Sequence, residues 1–144
     1  MTTPTPIWKG PVQREQKTLA QFLRFLCVGV VNTMVGLAVI YACKYFGGFG
    51  DLAANATGYA VGLCVSFTLN RRWTFAHRGA VGPAALRFLT VAAIAYGMNL
   101  LTVMLCIHGW GMNSYLAQAL GVPPYTLTSF FLSRLWAFRA ESAR

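Results

Sequence analysis

Long stretches without charged side chains dominate the chain and predict membrane-spanning helices. Residues 25–43, 52–70 and 88–133 contain no Lys, Arg, Asp or Glu. An apolar run of about 18 or more residues is long enough to cross a bilayer as an α-helix. Gly109 and Gly111 divide the longest stretch. The pattern therefore predicts four spans, at about 25–43, 52–69, 88–107 and 114–132.

The segments outside these spans are too short to form a separate soluble domain. We therefore predict an all-α integral membrane protein, with a four-helix membrane domain at residues 21–140. Residues 1–20 are polar and basic and contain Pro4, Pro6 and Pro11, which predicts a mobile N-terminal segment. This segment lacks the apolar core and the small-residue cleavage site of a signal peptide.

The composition supports a membrane protein rather than a nucleic-acid-binding one. Hydrophobic residues make up 56% of the chain and charged residues 10%, against about 25% charged in an ordinary soluble domain. The formal net charge of +9 suits an anionic partner, and nucleic acid is the usual partner of so basic a chain. Nucleic-acid-binding proteins, however, carry their basic residues on a solvated polar face, whereas here they flank apolar runs. We therefore predict no nucleic-acid partner.

The positions of the basic residues predict the orientation of the helices. Eleven of the twelve fall on one side of the four spans: Lys9, Arg14, Lys17, Arg24, Arg71, Arg72, Arg78, Arg87, Arg134, Arg139 and Arg144. The other side holds only Lys44, offset by Asp51. Short loops rich in Lys and Arg stay in the cytoplasm. We therefore predict that both termini are cytoplasmic.

The two halves of the chain match one another at an offset of 63 residues, without a gap. Leu23–Leu26 aligns with Leu86–Leu89, and Ser66–Phe75 aligns with Ser129–Phe138. The matched Arg, Trp and Gly residues are the significant part, because apolar sequences resemble one another by chance. Since each copy contains two spans, the copies keep the same orientation and form a parallel repeat. The sequence thus predicts two similar helical hairpins.

Arginines at the predicted cytoplasmic ends of the spans are candidate lipid-phosphate ligands. They are Arg24, Arg71, Arg72, Arg87 and Arg134. A guanidinium group pairs bidentately with phosphate oxygens. The alternative is simple anchoring, because an Arg at the end of a span extends to the interface whatever the function.

Asn70, Trp73 and Phe75 follow the second span and are candidate sugar-binding residues. An amide, two arginines and an aromatic face supply the hydroxyl partners, charge neutralisation and stacking surface that a sugar phosphate needs. The alternative is a helix terminator followed by interfacial aromatic residues.

The predicted spans also contain polar and small side chains. Asn32 and Asn99 lie deep in the first and third spans, and would line a path for a hydrophilic head group or form interhelical hydrogen bonds. Ala54, Gly58, Gly62 and Ser66 repeat every four residues in the second span. That spacing predicts a face on which two helices pack closely.

The sequence contains no recognisable catalytic or metal-binding set. The three acidic residues, Glu15, Asp51 and Glu141, are scattered outside the spans, and the four cysteines lack metal-ligand spacing. We therefore predict no enzyme activity, no catalytic residue, no metal and no cofactor. The absence of an acidic residue inside a span also argues against a proton-coupled cation exporter.

The segments Arg24–Thr33 (RFLCVGVVNT) and Ser66–Phe75 (SFTLNRRWTF) resemble the GtrA-like family, which includes the transmembrane part of some dolichol-phosphate mannose synthases. The resemblance covers about residues 22–138. The second half has Ser133 where the first half has Asn70, so any role of that amide is not duplicated.

This resemblance implies a multi-pass protein of the bacterial cytoplasmic membrane that flips a polyprenyl-phosphate-linked sugar to the outer leaflet for cell-surface polysaccharide glycosylation. The implied partners are polyprenyl phosphate or its sugar conjugate, membrane lipids and a membrane glycosyltransferase. Four helices enclose little volume, so a homodimer is one way to complete the path. The alternative function is a scaffold that supports such a glycosyltransferase without transporting lipid.

Overall fold

The computed structural model describes residues 11–139, and every regular element in that range is helical. Four α-helices follow in chain order: α1 (Pro11–Tyr45), α2 (Asp51–Leu69), α3 (Val81–Met104) and α4 (Ser114–Leu132). A five-residue π-helical turn continues each of the last three helices: π1 (Asn70–Thr74), π2 (Leu105–Gly109) and π3 (Ser133–Ala137). The predicted all-helical fold with four α-helices is confirmed.

Three of these helices are long and apolar enough to cross a membrane, by length and composition. The candidate spans are Glu15–Tyr45, Asp51–Thr74 and Val81–Gly109. Helix α4 has 19 residues but is less hydrophobic, because it contains Gln118, Pro123 and Pro124. Large apolar side chains such as Leu52 (86%) and Met34 (67%) are highly exposed, as expected where lipid rather than protein covers a helix.

Helix α1 begins earlier than the sequence predicted. Its first residue is Pro11, and proline favours the first position of a helix because its φ is fixed and its missing N–H has no partner there. Residues 11–20, which we predicted to belong to the mobile segment, are therefore helical, while residues 1–10 lie outside the described range. The 35 residues of α1 extend about 52 Å, well beyond the ~30 Å hydrocarbon core of a bilayer.

The backbone repeats at the offset of 63 residues that the sequence predicted. Helix α2 and turn π1 begin and end 63 residues before α4 and π3. The loops that precede α2 and α4 also match: Gly48 and Gly111 adopt positive φ values of 63° and 62°, a conformation that glycine reaches without a steric penalty.

The hydrogen bonds that close the π-turns repeat in the same way. The Phe75 amide donates to the Asn70 carbonyl oxygen at 2.9 Å, and the Phe138 amide donates to the Ser133 carbonyl oxygen at 2.8 Å. Two copies of one local structure are therefore present, which supports the duplication independently of residue identity.

The chain forms two compact units, Met1–Gly62 and Leu63–Arg144. In the first unit, α2 packs on α1 through glycines. In the second unit, α3 packs with α4 and with the last turns of α2. Its larger apolar core contains Ala84, Phe88, Val91, Ala137 and Phe138. A smaller core joins π2 to the start of α4 through Val103, Cys106 and Ala117.

Candidate functional site

A groove with mixed polar and apolar walls lies between α1 and α2 in the first unit. Its volume is about 260 Å³. Helix α1 contributes Asn32, Thr33 and Gly36, and helix α2 contributes Asn55, Gly58 and Gly62. Leu37, Ile40 and Tyr59 complete the lining, so the groove combines amides, hydroxyls and exposed backbone with large apolar surfaces.

Glycines allow the two helices to approach at this groove. A Cβ atom at Gly58 would lie 2.8 Å from the Gly36 carbonyl oxygen, and one at Gly62 would lie 2.7 Å from Asn32 Oδ1. Real Cβ atoms essentially never make such short contacts. The small residues at four-residue spacing in α2 therefore form a packing face, as predicted. The groove beside them could not be predicted from this spacing, because it also depends on Gly36 of the facing helix.

Asn32 differs from the other polar residues of the groove in its hydrogen bonding. Thr33 Oγ1 donates to the Gly29 carbonyl oxygen at 3.1 Å, and Asn55 Nδ2 donates to the Asp51 carbonyl oxygen at 2.8 Å. Asn32 Oδ1 is buried and has no hydrogen-bond partner among the described residues. An unpaired amide oxygen is costly in an apolar environment, and this one is packed against Gly62 of α2 rather than exposed to the groove.

Asn99 lies in the second unit, where it takes part in helix packing. A Cβ atom at Gly121 of α4 would collide with Asn99 Nδ2 and would lie 3.0 Å from Val103 Cγ2. The Asn99 amide therefore fills the space above a glycine between α3 and α4. This position matches the helix-packing alternative more closely than the predicted head-group path.

Asn70 is buried, contrary to its predicted position at the sugar-binding surface. Its exposed fraction is 1%, and its Nδ2 donates to Ser66 Oγ at 3.2 Å. Its Oδ1 is buried without a partner among the described residues, as is the hydroxyl of the repeat-related Ser133. Asn70 is the first residue of π1, which continues α2 with Asn70 and Thr74 buried. This π-helical turn was not predicted from the sequence.

Phe75 is also packed inside the second unit. Its ring stacks on Phe138 at a centroid distance of 5.3 Å and an interplanar angle of 20°. Phe67 lies 5.9 Å from Phe138, and Phe130 lies 6.0 Å from Phe75, both at 34°. Because these rings are related at the offset of 63, the cluster has local two-fold pseudosymmetry. Phe75 thus holds π1 against π3 rather than offering its face to a sugar.

Trp73 is the residue of the predicted sugar-binding set that lies at the surface. Its exposed fraction is 47%, and that of the repeat-related Trp136 is 43%. Both tryptophans belong to π-turns, where Trp73 follows Arg72 in the sequence and Trp136 follows Leu135. An aromatic side chain at each π-turn is suited to the membrane–water interface.

Arg71 connects π1 to the start of α3. Its Nη2 donates to the Gly79 carbonyl oxygen at 2.6 Å, and Gly79 precedes Ala80, the N-cap residue of α3. This N-cap provides no side-chain hydrogen bond to the helix. The contact therefore brings a guanidinium group beside the N-terminus of α3, where the amides of Val81 and Gly82 precede Pro83, which has no N–H. A helix N-terminus of this kind favours anions.

The remaining predicted arginines differ in exposure. Arg72 and Arg87 are exposed and Arg134 is half-buried in the second unit, while Arg24 is exposed in the first. In the first unit Lys44 pairs with Asp51. The single basic residue on the predicted outer side is thus neutralised locally.

The family described as GtrA/DPMS, transmembrane domain, matches residues 24–138. A protein named uncharacterized membrane protein YngA from Bacillus subtilis (strain 168) is 27% identical over 142 residues, which is 96% of this chain and 93% of the relative. Two proteins named bactoprenol-linked glucose translocase, from Shigella phages SfII and SfV, are 28% and 30% identical over 113 residues. Each alignment covers 78% of this chain and 82% of the phage protein.

Proposed function

The chain belongs to the GtrA/DPMS transmembrane-domain family, and from that premise we propose that it flips a polyprenyl-phosphate-linked sugar from the cytoplasmic to the outer leaflet of the bacterial cytoplasmic membrane. The observation that carries this proposal is the match to two proteins named bactoprenol-linked glucose translocase over most of their length. These relatives are named for transport, and the chain is a non-enzymatic membrane protein. The sugar delivered to the outer leaflet would serve cell-surface polysaccharide glycosylation.

The proposed topology has four spans, arranged as two hairpins of the same orientation, with both termini in the cytoplasm. The 19 residues of α4 give a length of about 28 Å, which is close to the ~30 Å hydrocarbon thickness. Its contact with α3 through Gly121 supports α4 as a span, despite its lower hydropathy. The basic loop between α2 and α3 then lies on the cytoplasmic side.

Impermeant thiol labelling tests this topology in a background without native cysteines. Cysteine replaces Phe46, which is 84% exposed in the loop after α1, or Ala80, which is exposed before α3. We expect F46C to be labelled in intact cells and A80C to be labelled only after the membrane is opened. The reverse pattern would show that the orientation is wrong.

We place the docking of the lipid phosphate at the junction of π1 and α3. Arg71 holds Gly79 there, the free amides of α3 add a partial positive charge, and Arg72 presents an exposed guanidinium group for bidentate pairing. Trp73 lies beside it and contacts the sugar or the interface. The prenyl tail remains in lipid, and the lipid gradient drives transport, since the spans contain no acidic residue for proton coupling.

Transport is tested with purified protein in liposomes that contain a fluorescent polyprenyl-phosphate glucose. Lipid in the outer leaflet is quenched with an impermeant reductant, so the rate of quenching of the remainder reports flipping. We expect the wild type to accelerate flipping above protein-free liposomes. Arg72→Ala should slow it by roughly 10- to 100-fold, because a hydrogen bond to a charged group contributes about 1.5–3 kcal/mol.

Arg78→Ala is the matched control, because it removes the same charge from an exposed position of the same loop. It should flip lipid at the wild-type rate. A wild-type protein that moves no lipid would refute the proposed transport and leave the scaffold for a membrane glycosyltransferase as the alternative. Equal loss in R72A and R78A would refute the docking position alone.

A further inference from the structure

Turns π1 and π3 meet across the local two-fold pseudosymmetry of the second unit. Four phenylalanines form the contact, Phe67 and Phe75 around π1 and the repeat-related Phe130 and Phe138 around π3. The two cross pairs are equivalent, since Phe75 lies 6.0 Å from Phe130 and Phe67 lies 5.9 Å from Phe138. The first pair of rings flanks Asn70 along the chain and the second pair flanks Ser133. Asn70 and Ser133 are therefore buried at the same interface.

This interface buries polar atoms that have no hydrogen-bond partner. Asn70 Oδ1 and Thr74 Oγ1 of π1, and Ser133 Oγ of π3, are buried and unpaired among the described residues. The three residues are 1%, 2% and 0% exposed. A buried polar group without a partner destabilises the packed state, because it has lost its hydrogen bonds to water and gained none in exchange. The packing of π1 against π3 is thus stabilised by its rings and destabilised by its polar atoms.

Helix α4, which leads into π3, has a bending point that α2 lacks. Pro123 and Pro124 lie inside α4, whereas the repeat-related residues of α2 are Ala60 and Val61. A proline has no N–H, so a carbonyl one turn earlier loses its usual donor, and helices bend at such positions. Of the two turns at the interface, π3 is therefore the one that follows a helix able to bend.

We propose that the contact between π1 and π3 is a gate at the cytoplasmic ends of α2 and α4, closed in this structure, which opens during transport as α4 bends at Pro123 and Pro124. The aromatic rings hold the gate closed. The unpaired atoms favour the open state, because water reaches them only when the two turns separate. π-Helical turns occur frequently at functional sites. This inference rests on the proposed transport function and adds the conformational change that it uses.

Hydrogen exchange of the purified protein measures the opening without any substrate. A buried amide exchanges only when its hydrogen bond breaks and water gains access, so peptides that contain the π-turn amides of Phe75 and Phe138 report on the gate. Thr74→Val and Ser133→Ala each remove an unpaired hydroxyl with little change of shape, and should stabilise the closed state. We expect these peptides to exchange at least fivefold more slowly in each variant, and the melting temperature to rise by about 2–4 °C.

Thr68→Val is the matched control for T74V. It makes the same change near the end of α2, but Thr68 is exposed and its Oγ1 donates to the Cys64 carbonyl oxygen at 2.8 Å. The control should keep the exchange rates and the melting temperature of the wild type. T74V and S133A are independent tests, so if one variant is not monodisperse in detergent the other decides.

The liposome flipping assay with fluorescent polyprenyl-phosphate glucose then shows whether the opening belongs to transport. We expect T74V and S133A to flip lipid at least fivefold more slowly than the wild type, and T68V to flip it at the wild-type rate. Unchanged or faster exchange in both T74V and S133A would overturn the gate. Slower exchange with wild-type flipping would overturn its role in transport.

The transport proposal stands in both of these cases. A wild type that flips lipid no faster than protein-free liposomes would instead refute the transport proposal, and the role of the gate with it. The two failures are therefore distinguished by the wild type alone.

Discussion

Truncation of Phe138 is the substitution that we expect to weaken the second unit most. The side chain is 4% exposed, and its ring lies 5.3 Å from Phe75 and 5.7 Å from Phe88. A third ring, Phe67, lies at 5.9 Å. Because these rings come from the ends of α2, α3 and α4, Phe138→Ala opens a cavity at the point where the three helices meet.

The magnitude follows from the number of contacts that are lost. An aromatic pair contributes about 0.5–1.5 kcal/mol beyond area burial, so the three Phe–Phe pairs that are removed give roughly 1.5–4.5 kcal/mol. The His77 ring, 5.8 Å from Phe138, is a fourth contact that is lost. Phe→Ala substitutions in protein cores cost about 3–5 kcal/mol in total. We take about 3 kcal/mol as the expected loss. At roughly 2–4 °C per kcal/mol for a chain of about this size, the melting temperature should fall by about 10 °C.

The assay is thermal unfolding of the detergent-solubilised protein, followed by tryptophan fluorescence and by the monodisperse peak on size-exclusion chromatography. Phe131→Ala is the matched control, since Phe131 lies at the end of α4, shortly before π3 and Phe138, and is 48% exposed. It should shift the melting temperature by no more than about 1–2 °C, equivalent to about 0.5 kcal/mol. Equal shifts in F138A and F131A would refute the aromatic cluster as a stabilising contact.

Two further predictions concern packing and loop anchoring. Gly121→Ala should lower the free energy of unfolding by about 1–3 kcal/mol, because its Cβ would collide with the Asn99 amide and overpacking costs this much. Gly97→Ala is the control, because a Cβ there meets nothing within 4 Å. Equal melting temperatures for the two variants would contradict the contact between Gly121 and Asn99. Arg71→Ala should lower the free energy of unfolding by about 1.5–3 kcal/mol, because it removes the charged hydrogen bond to Gly79, and it should expose the loop between π1 and α3 to proteolysis. Arg72→Ala should have the melting temperature of the wild type. Loss of stability in R72A to the same extent would show that the two arginines do not have separate roles.

Several features of this protein are determined by the sequence alone. Uncharged stretches of helix-spanning length locate the four α-helices, and α4 matches its predicted bounds of 114–132. The offset of 63 residues predicts the repeated loop glycines and π-turn hydrogen bonds. These features are local along the chain, because a helix satisfies its backbone hydrogen bonds within its own segment and apolar length alone decides whether it can span lipid.

Only the tertiary structure decides which polar side chains meet a neighbouring helix and which face a groove. Asn32 and Asn99 are indistinguishable as intramembrane amides in the sequence, yet one lies beside an open groove and the other fills the space above Gly121. Asn70 and Phe75 look like surface residues at the end of a span, but π1 turns them into the second unit. The physical reason is that burial depends on the side chains of the facing helix, above all on whether glycine leaves room there, and hydropathy along one helix carries no information about its partner.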